Sequence, residues 1–126
     1  MNETATLPRR GLNWLRSQEG QPVYIAGPCS AEGPEQVLAM AQALAQVPGV
    51  AYLRAGVWKP RTNAGTFEGY GQPALGWLQH ARQQTGLPFA LEVAKPAHVE
   101  AALAAGADLL WVGARTTVNP FDVQEL

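Results

Sequence analysis

Apolar residues occur along the chain in four short runs, each followed by a loop and then by helix-like spacing. The runs lie at residues 23–26, 51–53, 89–91 and 109–112. They are continuous rather than alternating, which is typical of parallel strands covered on both faces. Strand, loop and helix alternate along the chain, so the pattern predicts a parallel sheet with crossover helices.

Prolines and glycines mark the ends of the predicted helices. Proline suits the first helical turn, where its missing N–H would have no partner, and one stands at each predicted start: Pro34, Pro73, Pro96 and Pro120. Asn119 is also a favourable N-cap. The three completed helices are predicted to end at glycines that suit C-terminal caps: Gly49, Gly86 and Gly106.

Helical spacing predicts which apolar side chains of the first two helices share one face. In the first helix they are Val37, Met40, Ala41 and Leu44, and in the second Ala74, Trp77, Leu78 and Ala81. In the third helix the apolar positions are Val99, Ala102 and Leu103.

Two α/β architectures fit this pattern: an open doubly wound sheet, or part of a (β/α)8 barrel. Both place their chemistry at the carboxyl ends of the strands. The turn after the first strand, residues 26–30, reads AGPCS and lacks the Gly-x-Gly-x-x-Gly pattern, which argues against dinucleotide binding. The sequence also lacks a Gly-Lys-Ser/Thr phosphate loop.

Composition narrows the class of protein further. The chain has 126 residues, which suits one domain, with residues 1–20 as a leader segment and residues 21–126 as the domain. A net charge of −1 gives no overall attraction to nucleic acid or to an anionic membrane. No apolar run approaches a membrane span. Cys29 is the only cysteine, so an internal disulfide is impossible and a cytoplasmic location is expected.

Chemically active side chains follow all four predicted strands. Cys29 follows the first strand, and residues 54–62 follow the second. Glu92 ends the third strand, and Arg115 follows the fourth. Because the carboxyl ends of parallel strands open on one face, these side chains are expected to converge on one site.

The segment 54–65, RAGVWKPRTNAG, concentrates positive charge in a nearly neutral chain. Over residues 54–71 its fixed charges are Arg54, Lys59 and Arg61 against Glu68, a sum of +2. Arginine offers a planar fork to phosphate oxygens and lysine a compact point charge. The segment therefore predicts an anion site, with a solvated basic loop as the alternative.

The remaining candidates leave alternatives open. Cys29 is interpreted as a small buried apolar residue, a nucleophile or a metal ligand. His80 and His98 fall within predicted helices, away from the strand ends, and are expected to be surface or packing residues. Trp58 and Trp111 are expected to be packing residues.

Three motifs in order resemble one enzyme family. IAGPCSAE at residues 25–32, RAGVWKPRT at 54–62 and GARTT at 113–117 together resemble 3-deoxy-7-phosphoheptulonate (DAHP) synthases. The resemblance extends over about residues 20–126. Residues 111–126 are most similar to the bacterial form found fused to chorismate mutase.

This resemblance implies the N-terminal half of a (β/α)8 barrel. It also implies condensation of phosphoenolpyruvate with erythrose 4-phosphate, the first step of the shikimate pathway, with release of phosphate. A divalent metal ion, manganese or similar, would be bound by Cys29, with the other ligands beyond Leu126. A homo-oligomer and a chorismate mutase domain in the full-length protein are both compatible with the resemblance.

The resemblance also implies roles for individual residues. Substrate would be bound by Arg54, Lys59, Pro60, Arg61, Thr62, Gly113, Ala114 and Arg115. Of these, Arg54, Lys59 and Arg115 match contacts to phosphoenolpyruvate, and residues 59–62 match the stretch that holds erythrose 4-phosphate. Lys59, Arg115 and Glu92 would take part in catalysis, Lys59 by supplying a proton and Glu92 by positioning water.

Two alternatives remain beside this interpretation. The related 3-deoxy-octulosonate 8-phosphate synthases use a five-carbon sugar phosphate, but their loop reads Lys-Ala-Asn-Arg-Ser rather than Lys59-Pro60-Arg61-Thr62. The other alternative is a non-catalytic half-barrel that binds phosphate or a partner chain. A complete barrel needs about 250 residues. The isolated chain is therefore expected to be inactive, with unpaired edges on its first and fourth strands.

Overall fold

A single parallel sheet organises the computed structural model, which describes residues 21–59, 65 and 67–126. Its strands are β1 (Tyr24–Ala26), β2 (Val50–Arg54), β3 (Phe89–Val93) and β4 (Leu109–Val112). All three neighbouring pairs are parallel, in the order β1-β2-β3-β4. The four predicted strands are confirmed. The predicted leader, residues 1–20, lies outside the described residues.

Five helices follow the strands in the described part of the chain. They are α1 (Pro34–Ala45), α2 (Gln72–Thr85), α3 (Pro96–Ala104), α4 (Ala114–Thr117) and α5 (Pro120–Glu125). All four predicted prolines lie in a first helical turn. Asn119 caps α5 as predicted, since its Oδ1 accepts hydrogen bonds from the backbone N–H groups of Phe121 (3.1 Å) and Asp122 (3.3 Å). The short helix α4 was not predicted, because it begins after Gly113 without a proline or a side-chain cap.

Two of the three predicted C-terminal glycines are confirmed. Gly86 ends α2 with φ 73°, and its N–H donates to the Arg82 carbonyl at 2.8 Å. Gly106 follows α3 with φ 84°, and its N–H donates to the Leu103 carbonyl at 3.0 Å. The prediction for Gly49 was wrong. Helix α1 ends at Ala45 with a right-handed cap at Gln46, and Gly49 lies in the turn that leads into β2.

The hydrophobic core lies between the sheet and the helices. Its largest fully buried side chains are Phe89, Leu53, Leu78, Leu91, Val37 and Val57. The shared apolar faces predicted for α1 and α2 are largely packed against the core, but Met40 is exposed. In α3, Leu103 is 59% exposed, because Val99 and Ala102 already occupy the face toward the core.

The two inner strands are much better covered than the two outer ones. In β3 only Glu92 is not fully buried. Ile25 in β1 and Val112 in β4 are each 40% exposed, so the predicted coverage of both faces was wrong for these strands. The reason is position: within the described residues β1 and β4 each have a hydrogen-bonded neighbour on one side only. The expectation of unpaired outer edges is confirmed for this part of the chain.

The strand order decides between the two architectures that the sequence left open. A doubly wound sheet reverses its strand order at a switch point, whereas barrel strands follow one another in sequence. The order β1-β2-β3-β4 has no reversal, and helices connect successive parallel strands. The fold is an α/β half-barrel. None of the described helices is long and apolar enough to cross a membrane.

Candidate functional site

Close backbone packing brings the carboxyl ends of β1 and β2 together. The N–H of Gly56 donates to the Cys29 carbonyl at 3.1 Å, and the N–H of Ala31 donates to the Gly56 carbonyl at 2.9 Å. A Cβ on Gly56 would overlap the carbonyl oxygen of Cys29, and a Cβ on Gly27 would overlap that of Arg54. Glycine at both positions therefore allows the loop after β1 to lie against the loop after β2.

This packing places the amine of Lys59 on the thiol of Cys29. Lys59 Nζ lies 2.8 Å from Cys29 Sγ and donates to the Cys29 carbonyl oxygen at 3.0 Å. The hydrogen bond and the positive charge of Lys59 lower the pKa of the Cys29 thiol, and the Arg54 guanidinium makes a smaller contribution. Because Cys29 is exposed, its interpretation as a small buried apolar residue was wrong. An exposed thiol beside a cation favours the thiolate, the form that binds metals or attacks electrophiles.

Arg54 ends β2 beside this pair. Its Nη2 donates to the Pro28 carbonyl at 3.3 Å, and its guanidinium carbon lies 5.9 Å from the centre of the Trp111 ring. Its Nε is buried and has no hydrogen-bond partner among residues 21–59, 65 and 67–126. Buried N–H groups are normally paired, so the guanidinium is suited to donate hydrogen bonds to an anionic ligand. Trp111, expected to be a packing residue, also supports this cation.

A cleft of about 380 Å³ adjoins the pair on the side of α3. Its walls come from the loop after β2, the start of α3 and the segment after β4: Trp58, Lys59, Glu68, Ala94, Lys95, His98, Arg115, Thr116 and Asp122. Of the predicted site residues, the cleft contains Lys59 and Arg115 but not Cys29, Arg54 or Glu92. Lys59 is therefore the residue that joins the thiol to the cleft.

The end of β3 lies against the loop after β4. Glu92 pairs with Trp111 in the sheet, and its carboxylate occupies the space in front of Gly113. Ala114 and Arg115 then begin α4. The structure thus brings the strand ends together in neighbouring pairs, β1 with β2 and β3 with β4, and the convergence of all four on one site stays a prediction. Pro60, Arg61 and Thr62 lie outside the part of the chain that the structure describes.

His98 lies in a helix and packs against another side chain, as expected, but it is not away from the strand ends. It lies in the first turn of α3, beside the end of β3, and forms part of the cleft wall. Its Nδ1 accepts a hydrogen bond from the Ala94 N–H at 3.1 Å, and its ring stacks on Trp58 with centroids 4.3 Å apart and planes 9° apart. Burial, with a smaller contribution from Lys95, lowers the pKa of His98. The signal was Pro96, which places His98 in the first helical turn. His80 is exposed on α2, as expected.

The donor set tests how well the described residues suit a metal ion. Cys29 offers an exposed sulfur whose thiolate form is favoured by Lys59. No group of three or more His, Cys, Asp or Glu side chains that could hold a metal occurs in the described residues. These residues therefore fit one ligand position, at Cys29, of a larger set.

Parallel strands in sequential order, with a helix after each, place the chain in the class of (β/α)8-barrel proteins as half of a barrel. The sequence places the chain more narrowly. Residues 12–125 match the profile of the DAHP synthetase I family, and the chain belongs to that family.

Known relatives agree with this assignment. The chain is 37% identical over 108 residues to a phospho-2-dehydro-3-deoxyheptonate aldolase of Thermotoga maritima, a match that covers 86% of the chain and 31% of the relative. The crystal structure of the phospho-2-dehydro-3-deoxyheptonate aldolase (DAHP synthase) of that organism superimposes with a TM-score of 0.70 at 34% identity, covering 80% of this chain and 29% of the other.

Two further solved structures are similar. A truncated form of the Thermotoga maritima 3-deoxy-D-arabino-heptulosonate 7-phosphate synthase gives a TM-score of 0.66 at 32% identity, over 85% of this chain and 37% of the other. A HpcH/HpaI aldolase/citrate lyase family protein of Burkholderia cenocepacia gives a TM-score of 0.54 at 20% identity, covering 82% of this chain and 40% of the other. This similarity shows the fold alone. The chain spans about a third of the length of its Thermotoga relatives.

Proposed function

We propose that this chain forms the phosphoenolpyruvate-binding part of a DAHP synthase. The reaction joins phosphoenolpyruvate to erythrose 4-phosphate and yields 3-deoxy-D-arabino-heptulosonate 7-phosphate and inorganic phosphate, the first step of the shikimate pathway. Membership of the DAHP synthetase I family supports the reaction. The observation that carries the proposal is the position of Lys59, whose amine touches the Cys29 thiol and whose side chain lines the cleft.

The cations at the strand ends are assigned to the anionic groups of phosphoenolpyruvate. Arg54 comes from the end of β2, Lys59 from the loop after it, and Arg115 from the segment after β4. Phosphate and carboxylate oxygens suit two planar guanidinium groups and one ammonium group. The backbone of Gly113 and Ala114 completes this side of the site. Lys59, with Pro60, Arg61 and Thr62, is assigned to erythrose 4-phosphate.

Two side chains are assigned to proton and water positioning. Lys59 is assigned as a proton donor through its Nζ. Its contact with Cys29, in the loop after β1, supports this assignment. Glu92 lies at the end of β3, where its carboxylate orients a water molecule toward the carbon under attack. Arg115 stabilises the negative charge that develops on the substrate.

Cys29 is assigned as a ligand of a divalent metal ion, manganese or similar. Such an ion, when bound, supplies Lewis-acid activation of the aldehyde. Lys59 and Arg54 lower the pKa of the Cys29 thiol and so keep the sulfur in the form that binds a metal. The other ligands are proposed to lie beyond Leu126. The 126-residue chain by itself is therefore proposed to bind phosphoenolpyruvate without turning it over. A homo-oligomer and a fused chorismate mutase domain remain predictions from the resemblance.

Calorimetric titration of the 126-residue chain with phosphoenolpyruvate tests the substrate assignment. We expect Lys59→Met to weaken binding about tenfold or more, as for loss of a hydrogen bond to a charged group. Lys95→Met is the matched control, since it removes a cation from the same cleft that is not assigned to this substrate. Equal losses in the two variants would mean general attraction of an anion, and no loss in Lys59→Met would refute the assignment.

A further inference from the structure

One hydrogen bond holds the ring of His98 in one orientation, and a second fixes its backbone. Its Nδ1 accepts the Ala94 N–H at 3.1 Å, across the turn between β3 and α3. Its own backbone N–H donates to the Lys95 carbonyl at 3.0 Å. An imidazole that accepts at Nδ1 carries its proton on Nε2. The ring is therefore attached to the end of β3, an inner strand of the sheet.

The flat face of this ring lies against Trp58. The centroids are 4.3 Å apart and the planes differ by 9°, so the two rings are stacked rather than merely adjacent. Trp58 immediately precedes Lys59 in the loop after β2. The stack thus joins this loop to α3, an element that is not adjacent to it in sequence.

Backbone hydrogen bonds fix the base of the same loop. The N–H of Lys59 donates to the Glu68 carbonyl at 2.8 Å, and the N–H of Gly71 donates to the Val57 carbonyl at 3.0 Å. These bonds tie the two described arms of the loop together. Among the ring contacts of the described residues, the stack with His98 is the one that ties Trp58 to α3.

We propose that His98 is a positioning residue for Lys59. Acting through Trp58, the imidazole holds the start of the β2–α2 loop so that the Lys59 amine stays on Cys29 and in the cleft. The importance of Lys59 for catalysis rests on the proposed function, but its position relative to Cys29 does not. The aromatic ring of His98 makes the contact, and the Ala94 hydrogen bond sets the orientation of the ring.

The position of Lys59 can be read from Cys29, because the chain has one cysteine. The rate at which iodoacetamide alkylates Cys29 rises with pH as the thiol loses its proton. The midpoint pH of this rise is low while the Lys59 amine is near the thiol. Lys59→Met sets the midpoint expected when the amine is lost. We expect His98→Ala to move the midpoint by about half of that displacement or more. His98→Phe, which keeps a ring for the stack, should stay close to the unmodified chain, as should His80→Ala, the control histidine.

Thermal unfolding of each variant shows whether it folds, and His98→Gln replaces His98→Ala if the latter does not. A midpoint in His98→Ala or His98→Gln equal to that of the unmodified chain would overturn the proposal. So would a midpoint that Lys59→Met leaves unchanged, or a displacement in His98→Phe as large as in His98→Ala. Phosphoenolpyruvate titration of the same variants separates the two proposals. If the variants show the expected alkylation midpoints but the chain does not bind phosphoenolpyruvate, the role of His98 stands and the proposed function is refuted.

Discussion

The carboxylate of Glu92 occupies the space that a side chain on Gly113 would need. Glu92 is the penultimate residue of β3 and Gly113 follows β4, so this contact lies between the ends of two neighbouring strands. The neighbour of Gly113 is the end of a flexible side chain, which can move aside, and the backbone of Gly113, with φ −73°, is accessible to any residue. A substitution there should displace Glu92 rather than unfold the chain.

We predict that Gly113→Ala changes the free energy of unfolding by less than about 1 kcal/mol. Turnover by the protein isolated from its own cells should fall about tenfold or more, because the carboxylate would move away from the water that it is proposed to position. Urea unfolding and a phosphate-release assay measure the two effects. Full turnover in Gly113→Ala would show that the position of Glu92 does not matter.

Gly56 presents the opposite case, because its neighbour is the backbone oxygen of Cys29. We predict that Gly56→Ala lowers the free energy of unfolding by about 1–3 kcal/mol, since the ends of β1 and β2 would have to separate. Gly76→Ala is the control, because no atom lies within 4 Å of the added methyl group on α2. That variant should gain up to about 1 kcal/mol. Equal stabilities of the two variants in urea would contradict the close approach of the strands.

The lowered pKa of His98 predicts a pH-dependent stability. Burial favours the neutral imidazole in the folded chain, whereas the unfolded chain takes up its proton near pH 6.5. The stabilisation is fully present above pH 6.5 and is lost as the pH falls through the folded pKa. The free energy of unfolding, measured in urea, should therefore fall more on acidification for the unmodified chain than for His98→Phe. Parallel pH profiles for the two proteins would exclude this effect. The pKa itself can be measured by NMR in His80→Gln, which leaves one imidazole.

Asp108 connects three elements at the opposite end of the sheet. Its Oδ2 accepts the Phe89 N–H at 3.1 Å, and its Oδ1 lies 3.1 Å from Arg82 Nη2. The ion pair is partly exposed, with side chains 41% and 26% accessible, and by itself should contribute little. We predict that Asp108→Ala costs about 1–3 kcal/mol, mainly because the Phe89 N–H loses its acceptor. Asp108→Asn, which keeps an acceptor, should cost less in urea unfolding. Equal costs for the two variants would assign the stability to the ion pair, which both of them remove.

Much of the fold could be predicted from the sequence because local signals decide it. Proline marked the first turn of four helices, and Gly86 and Gly106 adopt the left-handed conformation expected of C-terminal caps. The prediction that Gly49 caps α1 was wrong for a local reason as well, since α1 ends at Ala45 and its cap is Gln46. The exposure of Ile25 and Val112 could not be predicted from apolar runs alone, because it depends on which strands lie at the edges.

The candidate site was predictable where residues follow a strand and less so where they meet across elements. Arg54 is the last residue of β2, Glu92 is the penultimate residue of β3, and Cys29 lies in the loop after β1, close to where the pattern placed them. The contact of Lys59 with Cys29 depends on the close packing at Gly56, which sequence spacing does not show. His98 packs on another side chain as expected, but its place in the cleft wall was not predicted, because its stack on Trp58 joins segments far apart in the chain.

Phosphate release by the protein purified from its own cells tests the central claim most directly. We predict release only when phosphoenolpyruvate, erythrose 4-phosphate and a divalent metal ion are all present, with a loss of about a hundredfold or more in Lys59→Met. Release with a five-carbon sugar phosphate in place of erythrose 4-phosphate would contradict the proposed substrate. Release that persists unchanged in Lys59→Met would contradict the site.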